Sequence, residues 1–551
     1  MRWFERDGGR ERLRLELDAL HRAGYTPEID DADPVRLRVR VRVPVAGVGR
    51  DMVIVYPEFY PYFRFELSAP TDLGFEHHQH PADGTLCLID QSTWNWSPSM
   101  LAASVIAEQM PKIEAANAAT GQYDDEVQTP EPLTHYVDFI GNALVVMPPE
   151  GYELPAGRTG GSFVLAVGPG AVGFRGFIEQ LDGVATSLPD LTGAFPISQR
   201  ITGRWQRIGR PKAVRGPDLE QELQNRGVLG RPHLTAKHPI EVTAFLFEDE
   251  MAYPRVMGPN WILMVRRRVH PRWAVHLVRV EAFDPEGQAA RLRSLETLNE
   301  KTVLQVGLGG LGAPAAHLLA QCRIGELRLA DFDTVGLGNA VRWPLGFGAA
   351  GLKKVDALAG LVRTNYPETT VEPLHWSVGR FALDETGVIE EQIMFERAFA
   401  DIDAVFDGSA EIGVQQFLAA AAHEQGVPYV MMEATPGAYG GIVARFEAAG
   451  ACWFCLQLMI RDELIMPPSD AATGTLQLAG CASATFTGAP FDLLPIAAQG
   501  VRVLAQLLTA QPVEWNVAVL HNREDDTGAL GQTPRWTYHQ LGVHPECKEH
   551  S

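Results

Sequence analysis

Cysteine is scarce in this sequence, which has six cysteines among 551 residues. So few cysteines cannot build the dense disulfide framework of a small secreted domain. We therefore expect reduced thiols that serve as metal ligands, as nucleophiles or as small apolar side chains in a core.

Long apolar runs and an excess of basic charge are absent as well. No segment approaches ~18 consecutive apolar residues, and the charged start MRWFERDGGRERLRLELDAL lacks the apolar core of a signal peptide. We therefore predict a cytoplasmic protein that does not enter a membrane. The net charge of −21 argues against nonspecific binding to nucleic acid and is compatible with basic protein surfaces as partners.

A chain of 551 residues is too long for one hydrophobic core, so several domains are expected. We predict an α+β domain over residues 1–150, a connecting domain without assigned chemistry over 151–290, and an α/β domain over 291–551. The Pro- and Gly-rich segment MPPEGYELPAGRTGG marks the first boundary. The first domain is predicted to contain a helix, three strands, an irregular cysteine-containing segment and a second helix: 9–24, 35–45, 51–57, 63–67 and 97–118.

A glycine-rich turn follows the first predicted strand of the third domain. The segment KTVLQVGLGGLGAPAAHLLAQC is typical of a strand, a turn with Gly307, Gly309 and Gly312, and a helix. Backbone N–H groups in such a turn can approach a phosphate at the helix N-terminus. The next predicted strand ends at Asp331, where a carboxylate can bind ribose hydroxyls. The pattern predicts a nucleotide site, with NAD and ATP as alternatives.

The side chains after Asp331 favour ATP. Acidic, amide and basic residues follow it in close succession: Asp333, Asn339, Arg342, Lys353 and Lys354. A site that cleaves a triphosphate needs such cations, because negative charge builds on the phosphoryl oxygens, whereas hydride transfer does not. A later strand, DAVFD, ends at Asp407, and a carboxylate at the carboxyl end of a parallel strand is well placed to hold Mg²⁺.

From about residue 295 onward these motifs resemble the ubiquitin-activating superfamily, which includes the bacterial ThiF and MoeB proteins. The family pattern is a glycine turn, D-x-D-x(5)-N-x-x-R, G-x-x-K, and an Asp after a later strand. The matching residues are Gly307, Gly309, Gly312, Asp331, Asp333, Asn339, Arg342, Lys354 and Asp407. The resemblance implies a Rossmann-like domain that binds ATP and Mg²⁺, in which Arg342, Lys354 and Asp407 are catalytic. It also implies that a partner protein's C-terminal glycine carboxylate attacks the α-phosphate, giving an acyl-adenylate and pyrophosphate. Trp343 departs from the pattern, since many relatives have Gln there.

Two pairs with the same spacing predict a metal site. Cys452 and Cys455 form CWFC, and Cys547 and His550 lie in HPECKEH. A lone CxxC is equally a redox pair or a chance pair, but two pairs together suit a tetrahedral structural Zn²⁺ site. Relatives carry a C-terminal CxxC at the second pair, so His550 is a substitution that zinc tolerates.

Two further cysteines differ in their expected roles. Cys481 lies in the flexible stretch LAGCASATFTGAP, ahead of an apolar helix. Relatives that form acyl-enzyme intermediates carry their nucleophile at the corresponding position, and a thiol both attacks an adenylate and leaves readily. Cys322, in the helix after the glycine turn, is expected to be a core residue.

The stretch GTLCLID presents Cys87, which by itself is either a nucleophile or a core residue. Most of residues 9–120 resembles a ubiquitin-conjugating enzyme: a helix, a meander, YPEFYPYFRF, His80-Pro81, GTLCLID, and WNWSP before a helix. The resemblance implies that Cys87 is the conjugating cysteine. The family's His-Pro-Asn is incomplete here, because Gln79 and His80 occupy the neighbourhood of the Asn. Oxyanion support would then come from His78, His80 or backbone N–H groups, or Cys87 would be a poorer aminolysis catalyst.

Together the two resemblances point to bacterial fusions of an activating and a conjugating domain, as found in CBASS antiphage operons. They imply thioester formation on Cys481, transfer to Cys87 and transfer to a target amine, with a cGAS/DncV-like nucleotidyltransferase as the activated partner. An alternative is a sulfur-carrier adenylyltransferase of ThiF or MoeB type, whose N-terminal domain only recruits substrate. A non-catalytic adaptor is a third reading, against which the intact Arg342, Lys354 and Asp407 argue. The superfamily also implies a homodimer, in which Arg291 or Arg293 could enter the partner's ATP site.

Overall fold

The computed structural model describes most of the chain. The described residues are 2–30, 36–70, 73–89, 95–118, 129–168, 174–252, 255–379, 390–447, 449–470, 474–476, 485–522 and 534–550. The chain forms two compact units. The first unit comprises residues 1–188 and 195–283, and the second comprises residues 189–194 and 284–551.

The first unit begins with a helix, an antiparallel sheet and a second helix. The elements are α1 (Asp7–Arg22), β1 (Glu28–Asp30), β2 (Leu37–Val45), β3 (Val48–Tyr56), β4 (Glu66–Ser68), β5 (Thr85–Leu86) and α2 (Ala102–Asn117). The strands pair in chain order, and α1 packs on α2. Strand β2 alternates buried valines with more exposed arginines, because one face of the sheet covers the core. The predicted order of helix, meander and helix is confirmed.

A second, eight-stranded sheet completes the first unit. Its elements are β6 (Phe139–Met147), β7 (Gly160–Val167), β8 (Phe174–Leu181), β9 (Val184–Ala185), β10 (Gln199–Arg207), α3 (Gly216–Asn225), β11 (Ile240–Ala252), β12 (Val256–Val269) and β13 (Arg272–Ala282). The order is β6-β13-β12-β11-β10-β7-β8-β9, and β6 also pairs with β8, so the strands close into a ring. Because β6 belongs to this second sheet, the chain passes from the first sheet to the second before residue 139. This change lies ahead of the boundary predicted near residue 150.

The second unit is an α/β layer structure around a mixed sheet. Its elements are α4 (Pro285–Ala289), β14 (Thr302–Val306), α5 (Gly312–Gln321), β15 (Glu326–Ala330), α6 (Lys354–Asn365), β16 (Thr370–Leu374), α7 (Glu390–Phe399), β17 (Ala404–Asp407), α8 (Ile412–Gln425), β18 (Tyr429–Ala434), β19 (Gly440–Phe446), α9 (Trp453–Arg461), β20 (Thr475–Leu476), β21 (Thr485–Phe486), α10 (Pro490–Leu508), β22 (Val517–His521) and β23 (Arg535–His539).

The main sheet of the second unit has the order β16-β15-β14-β17-β18-β19-β22-β23. The five strands β16, β15, β14, β17 and β18 are parallel to one another, whereas β19, β22 and β23 pair in antiparallel fashion. The chain moves from β14 outward to β16 and then returns to the other side of β14 as β17. Ligands of open parallel sheets bind in the crevice at such a reversal, beyond the carboxyl ends of the strands.

Helix α10 is long and apolar enough by composition to cross a bilayer, and it is the one such helix among the described residues. It packs against α5, β18 and β19, and over half of its apolar window is buried. Its apolar character is therefore accounted for by its place in the core.

Candidate active sites

The turn after β14 requires glycine at two positions. Gly307 has a φ of +82°, and a Cβ there would lie 2.5 Å from the backbone of Ser409. A Cβ on Gly312 would lie 1.8 Å from the carbonyl oxygen of Gly307. Gly309 faces open space, with nothing within 4 Å of its Cβ position. The turn therefore packs tightly on β17 while leaving room beside Gly309 for a ligand.

Asp331 connects this turn to the end of β15. One carboxylate oxygen accepts a hydrogen bond from Leu308 N–H at 2.7 Å, and the other accepts one from Asp333 N–H at 2.8 Å. The side chain is buried. Asp331 therefore fixes the shape of the turn, which is a second role beside the predicted contact with ribose.

Lys354, the first residue of α6, is directed toward the same edge. Its Nζ lies 2.8 Å from Asp333 Oδ2 and 3.6 Å from Asp331 Oδ2, and its side chain is buried. Lys353 points elsewhere, because its Nζ donates to the carbonyl of Phe332. The structure thus brings the glycine turn, both aspartates and one of the two lysines together, as the parallel topology requires.

A 3-10 helix, Leu337–Arg342, borders the turn. Asn339 Oδ1 accepts a hydrogen bond from Gly336 N–H, so this side chain shapes its own loop. Burial lowers the pKa of the half-buried Arg342, whose Cδ lies 3.3 Å from the Cβ position of Gly310. Trp343 is buried and its indole N–H donates to Leu308 O at 2.9 Å. Trp343, which departs from the family pattern, therefore packs under the glycine turn.

Asp407, at the end of β17, is more enclosed than the sequence indicates. It is 1% exposed, and its oxygens accept hydrogen bonds from Ser409 N–H at 2.7 Å and Tyr429 O–H at 2.8 Å. Burial raises the pKa of Asp407 to about 6. Glu433, near the end of β18, is a second, partly buried acid here, and burial raises its pKa too. The predicted magnesium role of Asp407 stays a prediction, and no sequence motif indicated Tyr429 or Glu433 as part of this site.

The four predicted metal ligands lie together. The ligand atoms of Cys452, Cys455, Cys547 and His550 are all within 4.8 Å of one another. Cys452 Sγ lies 3.8 Å from Cys455 Sγ and 3.6 Å from Cys547 Sγ. These separations fit a tetrahedral ion with metal–sulfur bonds of about 2.3 Å. Cys455 also accepts a hydrogen bond from His544 N–H, as the ligands of a structural site do.

The other residues singled out from the sequence have varied positions. Cys322 is partly buried against the core of the second unit, as predicted. Arg291 and Arg293 lie in the exposed 3-10 segment Ala290–Glu300. Cys481 lies outside the described residues.

Cys87 directly follows β5 and is exposed. Its N–H donates to His78 O at 2.8 Å, so the two residues lie side by side. The thiol donates to Ile89 O at 3.7 Å and lies next to the His78 side chain, and His78 Nδ1 lies 2.9 Å from Glu131 Oε1. Burial alone would lower the pKa of His78, but the bonds to Cys87 and Glu131 raise it to about 9. An imidazolium beside a thiol can hold that thiol as a thiolate.

The two residues in the neighbourhood of the missing Asn, Gln79 and His80, have local partners. Gln79 is buried, and its amide donates to the carbonyl of Pro70. His80 Nδ1 lies 3.2 Å from Asp83 Oδ1. His78 is therefore the histidine that the structure places beside Cys87. Its partner is Glu131, which no sequence motif indicated.

The glycine turn, the ordered aspartates and Lys354 form the candidate nucleotide site of the second unit, which lies in a region that resembles known adenylating proteins. Residues 278–491 match the family described as the ThiF family. The Escherichia coli molybdopterin-synthase adenylyltransferase is 27% identical over 206 residues, covering 36% of this chain and 75% of that protein. The Haloferax volcanii SAMP-activating enzyme E1 is 30% identical over 226 residues, covering 39% of this chain and 73% of that enzyme. The C-terminal part is a ThiF/MoeB-like adenylyltransferase, for which ATP and Mg²⁺ are expected.

The match to one relative extends over nearly the whole chain. Protein y4oA of Sinorhizobium fredii is 30% identical over 580 residues, covering 99% of this chain and 97% of y4oA. The chain belongs to the same family as y4oA.

Proposed function

We propose that this protein activates the C-terminal carboxylate of a partner protein and passes it through two cysteines to an amine. The observation that carries the proposal is an exposed Cys87, whose backbone N–H donates to His78 O, on the same chain as a ThiF-type adenylation domain. The helix–meander–helix order around Cys87 supports a ubiquitin-conjugating-like role for residues 1–150.

The first step is adenylation. The partner's carboxylate attacks the α-phosphorus of ATP, the bond to the β-phosphate breaks, and pyrophosphate leaves. Backbone N–H groups of the turn around Gly309, with Lys354 and Arg342, can stabilise the charge on the phosphoryl oxygens. Asp333 and Asp407 are the candidate carboxylates for Mg²⁺, which neutralises phosphate charge when bound.

The second and third steps are acyl transfers. The Cys481 thiolate attacks the acyl-adenylate and releases AMP, and the Cys87 thiolate then displaces Cys481 from the thioester. An amine of the target finally displaces Cys87 and forms an amide. By the resemblance stated above, we propose a cGAS/DncV-like nucleotidyltransferase as the activated partner, a role in CBASS defence, a homodimer and a cytoplasmic location.

The four ligands near α9 are proposed to hold Zn²⁺ in a structural site. Three thiolates and one imidazole leave no open coordination position for substrate, which is typical of structural zinc. The ion would fix residues 547–550 to the helix α9 without taking part in the chemistry.

The test uses Cys87→Ser, which converts a labile thioester into an oxyester. The tagged variant is co-expressed with the proteins encoded beside it, and the product is analysed on a reducing gel and by mass spectrometry. We expect a partner protein joined through its C-terminus to Ser at position 87 and absent from the Cys87→Ser, Cys481→Ala double variant. Recovery of an equal adduct from the double variant would contradict the two-cysteine sequence.

A second candidate is adenylation for sulfur transfer, favoured by the similarity to molybdopterin-synthase adenylyltransferase. In that case the acyl-adenylate passes to sulfur and position 87 never carries an acyl group. Wild-type product formation by Cys87→Ala would establish this alternative.

A further inference from the structure

The carboxylate beside His78 comes from a part of the chain distant from Cys87. Glu131 precedes β6, the first strand of the ring. Its Oε1 faces His78 Nδ1, and its Oε2 accepts hydrogen bonds from His78 N–H at 2.7 Å and from Tyr136 O–H at 2.5 Å. Both oxygens of Glu131 are therefore committed to holding one histidine.

Glu131 is itself held by the ring of strands. Its N–H donates to Glu250 Oε2 at 3.1 Å, and Glu250 lies near the end of β11, almost fully buried. The same oxygen of Glu250 lies 2.8 Å from His77 Nε2. Adjacent histidines 77 and 78 thus meet carboxylates fixed by the second sheet.

The backbone at His78 supports a functional reading of this cluster. Its φ of +60° lies in the left-handed region, which is uncommon for a residue other than glycine. Such conformations persist where surrounding contacts fix them, and they are enriched at functional sites.

We propose that Cys87, His78 and Glu131 form a thiol–imidazole–carboxylate relay, in which His78 is the general base and Glu131 is the positioning residue. The inference deepens the proposed function, because its second proton transfer requires the acyl group to reach Cys87. It also assigns a role to the ring of strands, which places Glu131 through Glu250.

The relay acts twice. His78 Nε2, the ring nitrogen left over when Nδ1 faces Glu131, takes the proton of the Cys87 thiol, and the thiolate attacks the incoming thioester carbonyl. The attacked carbon–sulfur bond breaks, and the departing thiolate takes the proton from His78, which becomes neutral again. When a target amine later attacks the Cys87 thioester, His78 accepts the proton lost by nitrogen, the carbon–nitrogen bond forms, and Cys87 leaves as a thiolate.

The charged and titratable groups that face this relay account for its expected pH behaviour. Cys87 and Glu131 contact His78 directly, and Tyr136 reaches it through Glu131. Burial would raise the pKa of Glu131, but its bonds to His78 and Tyr136 lower it, so the carboxylate stays ionised. Glu131 therefore stabilises the charged form that His78 reaches once it has taken the proton of the Cys87 thiol.

Site-resolved alkylation tests the relay without ATP or a partner. The full-length protein is treated with iodoacetamide from pH 5.5 to 9.5, and modification at Cys87 is quantified by mass spectrometry. We expect His78→Gln to lower the rate at pH 7 about tenfold, because an ordinary thiol is only a few per cent ionised there. Glu131→Gln should give an intermediate rate. The matched control is His135→Gln, an exposed histidine beside Tyr136, which should follow the wild-type profile.

Thermal unfolding of each variant separates loss of the relay from loss of the fold. A folded His78→Gln and a folded Glu131→Gln that both keep the wild-type profile would overturn the relay. Glu131→Asp should partly restore the profile, and no recovery relative to Glu131→Gln would count against a positioning carboxylate. If the profile shifts but position 87 never carries an acyl group, the relay stands and the conjugating function fails. If position 87 is acylated but the variants do not change the alkylation profile, the conjugating function stands and the relay fails.

Discussion

Asp407 keeps both carboxylate oxygens on protein donors inside the second unit. An Asp in an unfolded chain titrates near pH 4, whereas the folded protein keeps this proton up to about pH 6. Between those values the folded state binds the proton that the unfolded state releases, so the wild type loses stability as the pH rises. Above the folded pKa the loss is complete and constant.

The stability of Asp407→Asn relative to the wild type should therefore increase as the pH rises from 4 to 7. The amide can still accept from Ser409 N–H but cannot ionise, so we expect a relative gain of about 3 kcal/mol in the free energy of unfolding across this range. Urea unfolding at pH 4, 5, 6 and 7 measures it. A difference that is independent of pH would show that Asp407 titrates normally. Asp407→Ala, which leaves Ser409 N–H and Tyr429 O–H without partners, should be destabilised by about 1–3 kcal/mol.

Neighbouring lysines 353 and 354 provide a matched pair for nucleotide binding. Lys354→Met removes the cation beside Asp331 and Asp333, and we expect affinity for a Mg²⁺–ATP analogue to fall at least about tenfold. Lys353→Met removes only a bond to a backbone carbonyl and should bind nearly as the wild type does. Isothermal titration calorimetry with a non-hydrolysable analogue makes the comparison. An equal loss of nucleotide affinity in the two variants would show that Lys354 does not contact the phosphates.

At the scale of elements, α9 and the segment around residues 547–550 are joined by the proposed metal site. The helix begins at Trp453, so its two cysteines frame its first turn. Cys547 is buried, and His544 contributes both its N–H to Cys455 and a ring nitrogen 3.1 Å from Asp462 Oδ2. These protein contacts hold the segment that carries Cys547 and His550 next to α9.

Purified protein should contain about one zinc per chain, measured by plasma mass spectrometry after purification without chelator. Cys547→Ser should lose the metal and lower the melting temperature, because the ion links two distant chain positions. Cys322→Ser is the control, since this half-buried cysteine lies outside the cluster and should retain the zinc. Metal-free wild-type protein would refute the site.

Elements of the second unit could be predicted because their signals are local or follow from parallel topology. Gly307, Gly312 and Asp331 are close in sequence or stand at adjacent strand ends, and the structure places them in contact. The enclosure of Asp407 could not be foreseen, since it depends on Tyr429 in a neighbouring strand. Glu131 was missed for the same kind of reason, because its position depends on Glu250 across a long sequence separation.

At the scale of the whole molecule, Cys87 belongs to the first unit and residue 481 to the range of the second. The proposed acyl transfer requires the two thiols to meet, either within one chain or between two chains.

Mixing Cys87→Ala with Cys481→Ala distinguishes the two routes. Each variant alone should give no conjugate. Restored conjugation in the mixture, measured on a gel with ATP and the partner protein, would mean that the acyl group crosses between chains, as the proposed dimer allows. The control mixes wild-type protein with the Cys87→Ala, Cys481→Ala double variant. If the wild-type rate is unchanged in that control and the two single variants still give no conjugate together, the transfer occurs within one chain.

The distance in sequence between the two pairs of proposed metal ligands has a consequence for synthesis. Translation delivers Cys452 and Cys455 well before Cys547 and His550 exist. During that interval the early pair has no complete coordination shell and its thiols are open to oxidation. Cells under oxidative stress should therefore damage newly made copies at this CxxC more than mature copies, in which the later residues have closed around it.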